Sequence, residues 1–164
     1  MPSEIHTKAD ALIKAAQAKG LTLATAESCT GGWIGKALTE IPGSSAVFLG
    51  GLITYSNQSK LELLGIPPEI LDFYGAVSEP VAGAMALQTR DMLRADIAVS
   101  VTGIAGPGGG SEEKPVGMVC FGLIRRGQKP TTATQIFGDL GREQVRERTV
   151  LTALDLMQTC VDQL

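Results

Sequence analysis

The chain has 164 residues, of which 44% are hydrophobic and 19% are charged, and its formal net charge is −3. These values are typical of one globular domain with a hydrophobic core and exclude a disordered chain. The acidic balance argues against a nucleic-acid-binding surface. No apolar run reaches the ~18 residues of a membrane span, and the first residues lack the layout of a signal peptide. We therefore expect a single domain over residues 1–164, located in the cytoplasm, with no nucleic-acid or membrane partner.

Hydrophobic periodicity, glycines and prolines divide the chain into helices and strands. The sequence predicts helices at 3–19, 31–40, 60–64, 68–74, 78–94 and 141–164, and strands at 21–26, 46–55, 96–102, 116–125 and 131–137. The strand at 46–55 is apolar enough to be buried, and the one at 96–102 is typical of a central strand. Residues 127–130 predict a hairpin turn between the last two strands. This order indicates an α/β layered domain on a mixed sheet.

Cysteine and histidine are scarce. The three cysteines, Cys29, Cys120 and Cys160, are widely spaced, which argues against both a disulfide framework and a zinc site. His6 is the single histidine, and it lies in an ordinary leading helix. We therefore expect no metal and no cofactor, and any hydrolytic chemistry needs a base other than histidine.

The stretch 26–32 (AESCTGG) lies between a predicted strand and a predicted helix. A hydroxyl on such a turn is lifted off the sheet and faces backbone N–H groups, as in a nucleophile elbow with its oxyanion hole. Ser28 is the candidate nucleophile, and Cys29 is a rival because a helix N-terminus lowers a thiol pKa. The structural alternative is that Ser28 or Thr30 only caps the helix.

The stretch 55–60 (YSNQSK) follows the next predicted strand. A lysine acts as a general base only when burial or nearby positive charge lowers its pKa, and Ser–Lys pairs are a variant of the catalytic triad. Lys60 is therefore a candidate base for Ser28, and Tyr55 could relay a proton or orient the lysine. The alternative is that Lys60 is a solvated surface residue.

Two further groups of residues suit an anion. The glycine-rich stretch 102–110 follows the most strand-like segment, and its backbone N–H groups could approach a phosphate closely. Arg142 and Arg146 lie four residues apart on one face of the last helix, where guanidinium groups could bind a phosphate. A mobile loop and a solvated helix face are the respective alternatives.

Taken together, these stretches resemble the CinA C-terminal domain family, whose best-defined activity is nicotinamide-nucleotide amidase of the PncC type. The resemblance rests on 26–32, on Tyr55–Asn57 with Lys60, on 75–80 (GAVSEP), and on 102–107 (TGIAGP) continuing to 114–117 (KPVG). It spans nearly the whole chain in order.

The resemblance implies a three-layer α/β/α domain that forms a homodimer. It also implies hydrolysis of the carboxamide of nicotinamide mononucleotide, a small-molecule nucleotide, to nicotinate mononucleotide and ammonia without a metal. Many family members carry a second, N-terminal domain linked to ADP-ribose hydrolysis, and that activity is not expected here. The resemblance further implies Ser28 as the nucleophile, with Tyr55 and Lys60 as its catalytic partners. From the residues themselves we expect the oxyanion to be held by Cys29, Thr102 and Gly103, and the substrate and its phosphate to be bound by Gly106, Gly108, Gly109, Gly110, Arg142 and Arg146.

Three other functions remain open from the sequence alone. One is an amidase for a related nucleotide or pyridine carboxamide, because the motifs define the chemistry better than the substrate. The second is a catalytically silent nucleotide-binding or competence-related regulatory module. The third is a phosphate-binding structural domain, which would bind a ligand tightly without forming product.

Overall fold

A computed structural model describes all residues from Met1 to Leu164. The order of the elements along the chain is α1 (Glu4–Ala18), β1 (Leu23–Glu27), α2 (Trp33–Thr39), β2 (Phe48–Ile53), α3 (Asn57–Leu64), α4 (Pro68–Tyr74), α5 (Glu79–Leu93), β3 (Ile97–Gly103), β4 (Met118–Arg125), β5 (Thr131–Ile136) and α6 (Arg142–Asp162), with one 3₁₀ turn at Ser44–Ala46. None of these helices combines the length and the apolarity needed to cross a lipid bilayer.

The five strands form one mixed sheet in the order β2-β1-β3-β4-β5. β1 pairs in parallel with both β2 and β3, whereas β4 pairs antiparallel with β3 and with β5. The parallel pairs need helical crossovers, and the antiparallel pair β4–β5 needs only the predicted turn at 127–130. The mixed sheet and the late hairpin are therefore confirmed.

Helices cover both faces of this sheet. The larger core joins α1, α2 and α6 to one face through side chains such as Leu12, Leu38 and Leu154. On the other face, α3 packs through Leu64, α4 through Leu71, and α5 through Val81, Met85 and Ala86. The strands present alanines to these helices. Because successive side chains of a strand point to opposite faces, both faces of β1 and β3 are buried. The three-layer α/β/α fold is thus confirmed.

The sequence prediction was wrong about the environment of β2. It is an edge strand whose residues alternate between half-buried and exposed, and Leu49 and Ile53 are exposed. Two glycines in the middle of the strand, Gly50 and Gly51, make the segment look uniformly apolar, but an edge strand has a neighbour on one side only.

The helix predicted at 31–40 begins later, at Trp33. Gly31 and Gly32 have φ values of 60° and 100°, which places both in the left-handed region. They form the turn that separates β1 from α2, and side chains at these positions would be strained.

Candidate functional site

The carboxyl ends of the parallel strands meet at one edge of the sheet. Ser28 follows β1 directly, and Thr102 and Gly103 end β3, the neighbouring strand. The connection after β1 runs through α2 on one face, whereas the connection into β3 runs through α3 to α5 on the other. Ligands of open α/β sheets bind in the crevice where the connections change face in this way.

Ser28 and Lys60 meet in this crevice. Lys60 comes from the first turn of α3, and its Nζ lies 2.9 Å from Ser28 Oγ. The same nitrogen lies 2.7 Å from the carbonyl oxygen of Thr54 and 3.4 Å from that of Tyr55. Both carbonyls belong to the segment that leads from β2 to α3, so the backbone just before α3 contacts the Lys60 amine.

Lys60 is almost fully buried, with 1% of its surface exposed. No salt bridge to an acidic side chain compensates its charge. Burial disfavours the charged form and lowers the pKa of Lys60 from 10.5 to about 8. With this pKa about a tenth of the side chain is a neutral amine at pH 7 and about half at pH 8, whereas a solvated lysine is almost entirely charged at both.

The Cys29 thiol has the opposite character. It is buried, and this burial raises its pKa to about 12. A thiol that stays protonated at neutral pH is a poor nucleophile. The backbone N–H group of Cys29 donates to no other residue in the chain.

A buried carboxylate holds the turn that carries Ser28. Glu27, only 2% exposed, accepts hydrogen bonds from the Thr30 hydroxyl at 2.6 Å and from the N–H groups of Ile34 and Gly35 at 2.9 Å each. It therefore satisfies the first N–H groups of α2 from outside the helix. This leaves the Ser28 hydroxyl free of a capping role, so the capping alternative does not apply to it.

The Tyr55 side chain lies apart from Lys60. It is 61% exposed, and its hydroxyl accepts a hydrogen bond of 2.9 Å from Arg142. Arg142 also donates to the carbonyl oxygen of Gly106 at 2.9 Å. The beginning of α6 is thus tied to the glycine-rich loop and to the segment after β2, directly above the crevice.

A cavity of about 300 Å³ opens at Ser28. Most of the residues predicted from the sequence line it, but Gly110 and Arg146 do not. The lining residues are Ser28, Cys29, Tyr55, Asn57, Lys60, Ala76, Val77, Thr102, Gly103, Ile104, Ala105, Gly106, Gly108, Gly109 and Arg142.

Arg146 points to the other side of the Ser28 turn. Its Nε and Nη2 donate to the carbonyl oxygens of Cys29 and Thr30, each at 3.0 Å, and its guanidinium carbon lies 5.5 Å from the centre of the Trp33 ring. Thr102 does line the cavity, but its hydroxyl donates to the carbonyl oxygen of Ala76 at 2.9 Å.

Sequence reasoning missed some contributions to this site. Asn57, Ala76 and Val77 line the cavity, and the carbonyl oxygen of Thr54 is the nearest partner of Lys60. All three lining residues lie inside the stretches 55–60 and 75–80, so the motifs could have predicted them. The carbonyl contact could not be predicted from the sequence, because every residue type has a backbone carbonyl. No three His, Cys, Asp or Glu side chains of the chain lie close enough together to hold a metal ion.

Known proteins resemble this chain over most of its length. The model of the CinA C-terminal domain family matches residues 5–161. The "Nicotinamide-nucleotide amidohydrolase PncC" of Escherichia coli K12 is 47% identical over 156 residues, which cover 94% of this chain and 93% of that protein. A "CinA-like protein" of Synechococcus sp. CC9902 is 51% identical over 139 residues, but the match spans only 33% of its length.

Solved structures resemble this chain as well. The competence/damage inducible protein CihA from Agrobacterium tumefaciens superposes with a TM-score of 0.94 at 45% identity, covering 99% of this chain and 98% of that one. A CinA-superfamily protein from Klebsiella pneumoniae gives 0.93 at 31% identity, over 99% of this chain and all of its own. This chain therefore belongs to the CinA C-terminal domain family.

Proposed function

We propose that this chain is an amidohydrolase that converts the carboxamide of nicotinamide mononucleotide to the carboxylate, releasing ammonia, with Ser28 as nucleophile and Lys60 as base. The observation that carries the proposal is the buried Lys60 Nζ at 2.9 Å from Ser28 Oγ, at the mouth of a cavity. The substrate is suggested by the Escherichia coli relative, whose name states that it acts on nicotinamide nucleotide and whose length is almost fully matched.

The groups around Lys60 orient its neutral amine to accept the proton of Ser28. Such an amine has two N–H groups and one lone pair. The carbonyl oxygens of Thr54 and Tyr55 can only accept hydrogen bonds, so they take the two N–H groups. The lone pair is then left for the third neighbour, the Ser28 hydroxyl, which can donate its proton. In this proposal Tyr55 orients the lysine through its backbone.

The reaction then proceeds in two halves. Lys60 takes the Ser28 proton while Ser28 Oγ attacks the amide carbon, and the carbonyl oxygen becomes an oxyanion. Lys60 returns the proton to the amide nitrogen, the C–N bond breaks, and ammonia leaves. Water, deprotonated by Lys60, hydrolyses the resulting ester and regenerates Ser28. The N–H of Cys29, which donates to no other residue, supports a role in holding the oxyanion, and Thr102 and Gly103 line the same cavity.

We assign the substrate phosphate to the glycine-rich loop and Arg142. Gly106, Gly108, Gly109 and the exposed Arg142 line the cavity, and Gly110 continues the same loop. A guanidinium group and backbone N–H groups recognise phosphate by charge and by directed hydrogen bonds.

Ammonia release from nicotinamide mononucleotide by the metal-free protein tests the function, with Ser28→Ala as the inactive variant. The matched control is Ser111→Ala, because Ser111 is exposed and does not line the cavity. We expect release by the wild type and by the control, and none by Ser28→Ala. Activity that survives in Ser28→Ala would contradict the nucleophile. An inactive wild type that still binds the nucleotide would instead favour a regulatory binding module.

We also propose that the chain acts as one domain, in the cytoplasm, and as a homodimer. Large apolar side chains that remain exposed on the single chain support a second copy as partner, among them Phe73, Ile136 and Ile53. Light scattering coupled to size-exclusion chromatography gives the mass directly. A dimer has twice the mass of the 17.1 kDa chain, and a monomer at micromolar concentration would contradict this assignment.

A further inference from the structure

Arg146 is bound to the backbone of the Ser28 turn by two parallel hydrogen bonds. Its Nε and Nη2 each lie 3.0 Å from a carbonyl oxygen, of Cys29 and of Thr30 respectively. The guanidinium group also lies over the ring of Trp33, at 5.5 Å from its centre. One edge of the guanidinium group and one of its faces are therefore already occupied. The residue lies outside the Ser28 cavity and lines a second cavity of about 710 Å³, together with Arg142 and Lys36.

These bonds determine the direction of backbone N–H groups on the opposite side of the turn. A peptide unit is planar, and in the trans form its C=O and N–H point in opposite directions. Holding the Cys29 carbonyl oxygen therefore also holds the Thr30 N–H. In the preceding peptide unit, the Ser28 carbonyl oxygen accepts a hydrogen bond of 3.1 Å from Gly31 N–H, which holds the Cys29 N–H in the same way.

The two N–H groups held in this manner, of Cys29 and of Thr30, donate to no other residue in the chain. Unpaired donors in a buried turn are costly unless something else uses them. Both follow the candidate nucleophile within two residues, and Cys29 lines its cavity, where an oxyanion develops during attack. A positive charge on the carbonyl of a peptide unit also polarises its N–H and makes it a better donor.

We propose that Arg146 is a positioning residue for the oxyanion hole: it fixes and polarises the peptide units of the Ser28 turn and does not bind the substrate phosphate. This inference rests on the proposed amidase function. It assigns different roles to the two arginines of one helix face. Arg142 lines the cavity, whereas Arg146 acts through the backbone behind the nucleophile.

The turn has enough other support to keep its fold without Arg146. Glu27 still binds Thr30, Ile34 and Gly35, and Gly31 still binds Ser28. Arg146→Met retains the aliphatic stem beside Trp33 and removes both hydrogen bonds. Arg146→Lys retains the charge but cannot form the paired bonds. Arg148→Met is the matched control, because Arg148 is an exposed arginine of the same helix that does not line the cavity.

The first measurement is kcat and KM for ammonia release from nicotinamide mononucleotide. We expect Arg146→Met to lower kcat about 10- to 100-fold while KM stays within about threefold, because an oxyanion donor acts mainly in the transition state. Arg146→Lys should fall in between, and Arg148→Met should match the wild type. The pH profile should keep its apparent pKa, because Lys60 is not disturbed. A large rise in KM at unchanged kcat would show a phosphate ligand and overturn the inference, as would unchanged kinetics.

A second readout separates this inference from the proposed function. Labelling of Ser28 by a fluorophosphonate, followed by mass spectrometry, needs the nucleophile and the oxyanion hole but no nucleotide. We expect the labelling rate to fall by a factor similar to that of kcat in Arg146→Met. If the wild type releases no ammonia, the proposed function is wrong but the inference about Arg146 is not yet contradicted. The labelling rates of the wild type and Arg146→Met then test that inference. Equal labelling of the wild type and Arg146→Met, including none in either, would overturn the inference.

Discussion

Lys60 is the residue at which stability and activity conflict. Burying an ammonium group without a carboxylate partner costs free energy, and the chain accepts this cost where the lysine meets Ser28. In the proposed mechanism the cost is also the source of the chemistry, because the same burial lowers the pKa to about 8 and makes Lys60 a candidate base. One physical cause therefore has two measurable consequences, one in activity and one in stability.

The activity should depend on pH through Lys60. Only the neutral amine can accept the Ser28 proton, so kcat/KM should rise with pH and level off above an apparent pKa of about 8. Initial rates of ammonia release between pH 6 and 10 give this profile. A profile that is flat or falling between pH 7 and 9 would contradict Lys60 as the base.

The stability should depend on pH in the same range. Below pH 8 Lys60 is charged in both states and destabilises the fold. Between about 8 and its ordinary pKa of 10.5, the unfolded chain binds more protons, so stability rises with pH. The slope for one such group is at most about 1.4 kcal/mol per pH unit.

Lys60→Met removes this dependence, so the wild type should gain stability relative to the variant as the pH rises from 8 to 10. Urea unfolding at several pH values measures the difference. Lys129→Met, a change at an exposed lysine, should parallel the wild type. Parallel curves for the wild type and Lys60→Met would show that the buried lysine does not have the lowered pKa.

At the scale of the elements, helix α5 approaches the sheet unusually closely. Gly122 of β4 lies against the backbone of α5, where a Cβ would overlap the carbonyl group of Ala82. The Ser100 hydroxyl, on the neighbouring strand, donates to the same carbonyl oxygen at 2.5 Å. Small residues on both elements permit this approach, and it seats α5 beside the end of β3 where the site lies.

Gly122→Ala should therefore destabilise the fold. The added methyl group meets backbone, which cannot rotate away, so α5 and β4 must move apart; such overpacking typically costs about 1–3 kcal/mol. The free energy of unfolding from urea titration measures the loss. Gly108→Ala is the control, since a Cβ there meets nothing within 4 Å, and its stability should stay within about 1 kcal/mol of the wild type. Equal stabilities would mean that α5 does not approach the sheet so closely.

At the scale of the whole molecule, segments distant in the chain assemble the site. Ser28 follows β1, Lys60 lies on α3, Thr102 and Gly103 end β3, and Arg142 begins α6. They meet because β1 and β3 are adjacent and parallel, and because α6 crosses the larger core behind them. A ligand in the cavity contacts all of these segments at once, so its binding should stabilise the fold as a whole.

Ser28→Ala should bind nicotinamide mononucleotide without consuming it and melt at a higher temperature in its presence. At a concentration 100 times Kd the stabilisation is about 2.7 kcal/mol, which corresponds to roughly 5–11 °C in Tm for a domain of this size. Differential scanning fluorimetry over a concentration series measures the shift. Nicotinamide alone, which lacks the ribose phosphate, is the control and should shift Tm less. No shift with the nucleotide would contradict it as the ligand.

The local features of this protein can be predicted from its amino-acid sequence alone. Periodicity and capping signals placed the helices and strands within a few residues, and the scarcity of histidine directed attention to Lys60 as the base. The motif pattern identified the family, which the comparisons confirm. These signals are local or are carried by residue type, so they survive without coordinates.

Features that depend on distance and direction follow from the packing of the elements. The structure places β2 at the edge of the sheet, buries Lys60 beside Ser28, and brings the Glu27 carboxylate within hydrogen-bond distance of the first N–H groups of α2. It also gives Arg142 and Arg146, which share a helix face and line one common cavity, different hydrogen-bond partners. Spacing along a helix shows that two side chains are neighbours. What each side chain contacts depends on the elements packed against it, and these come from distant parts of the chain.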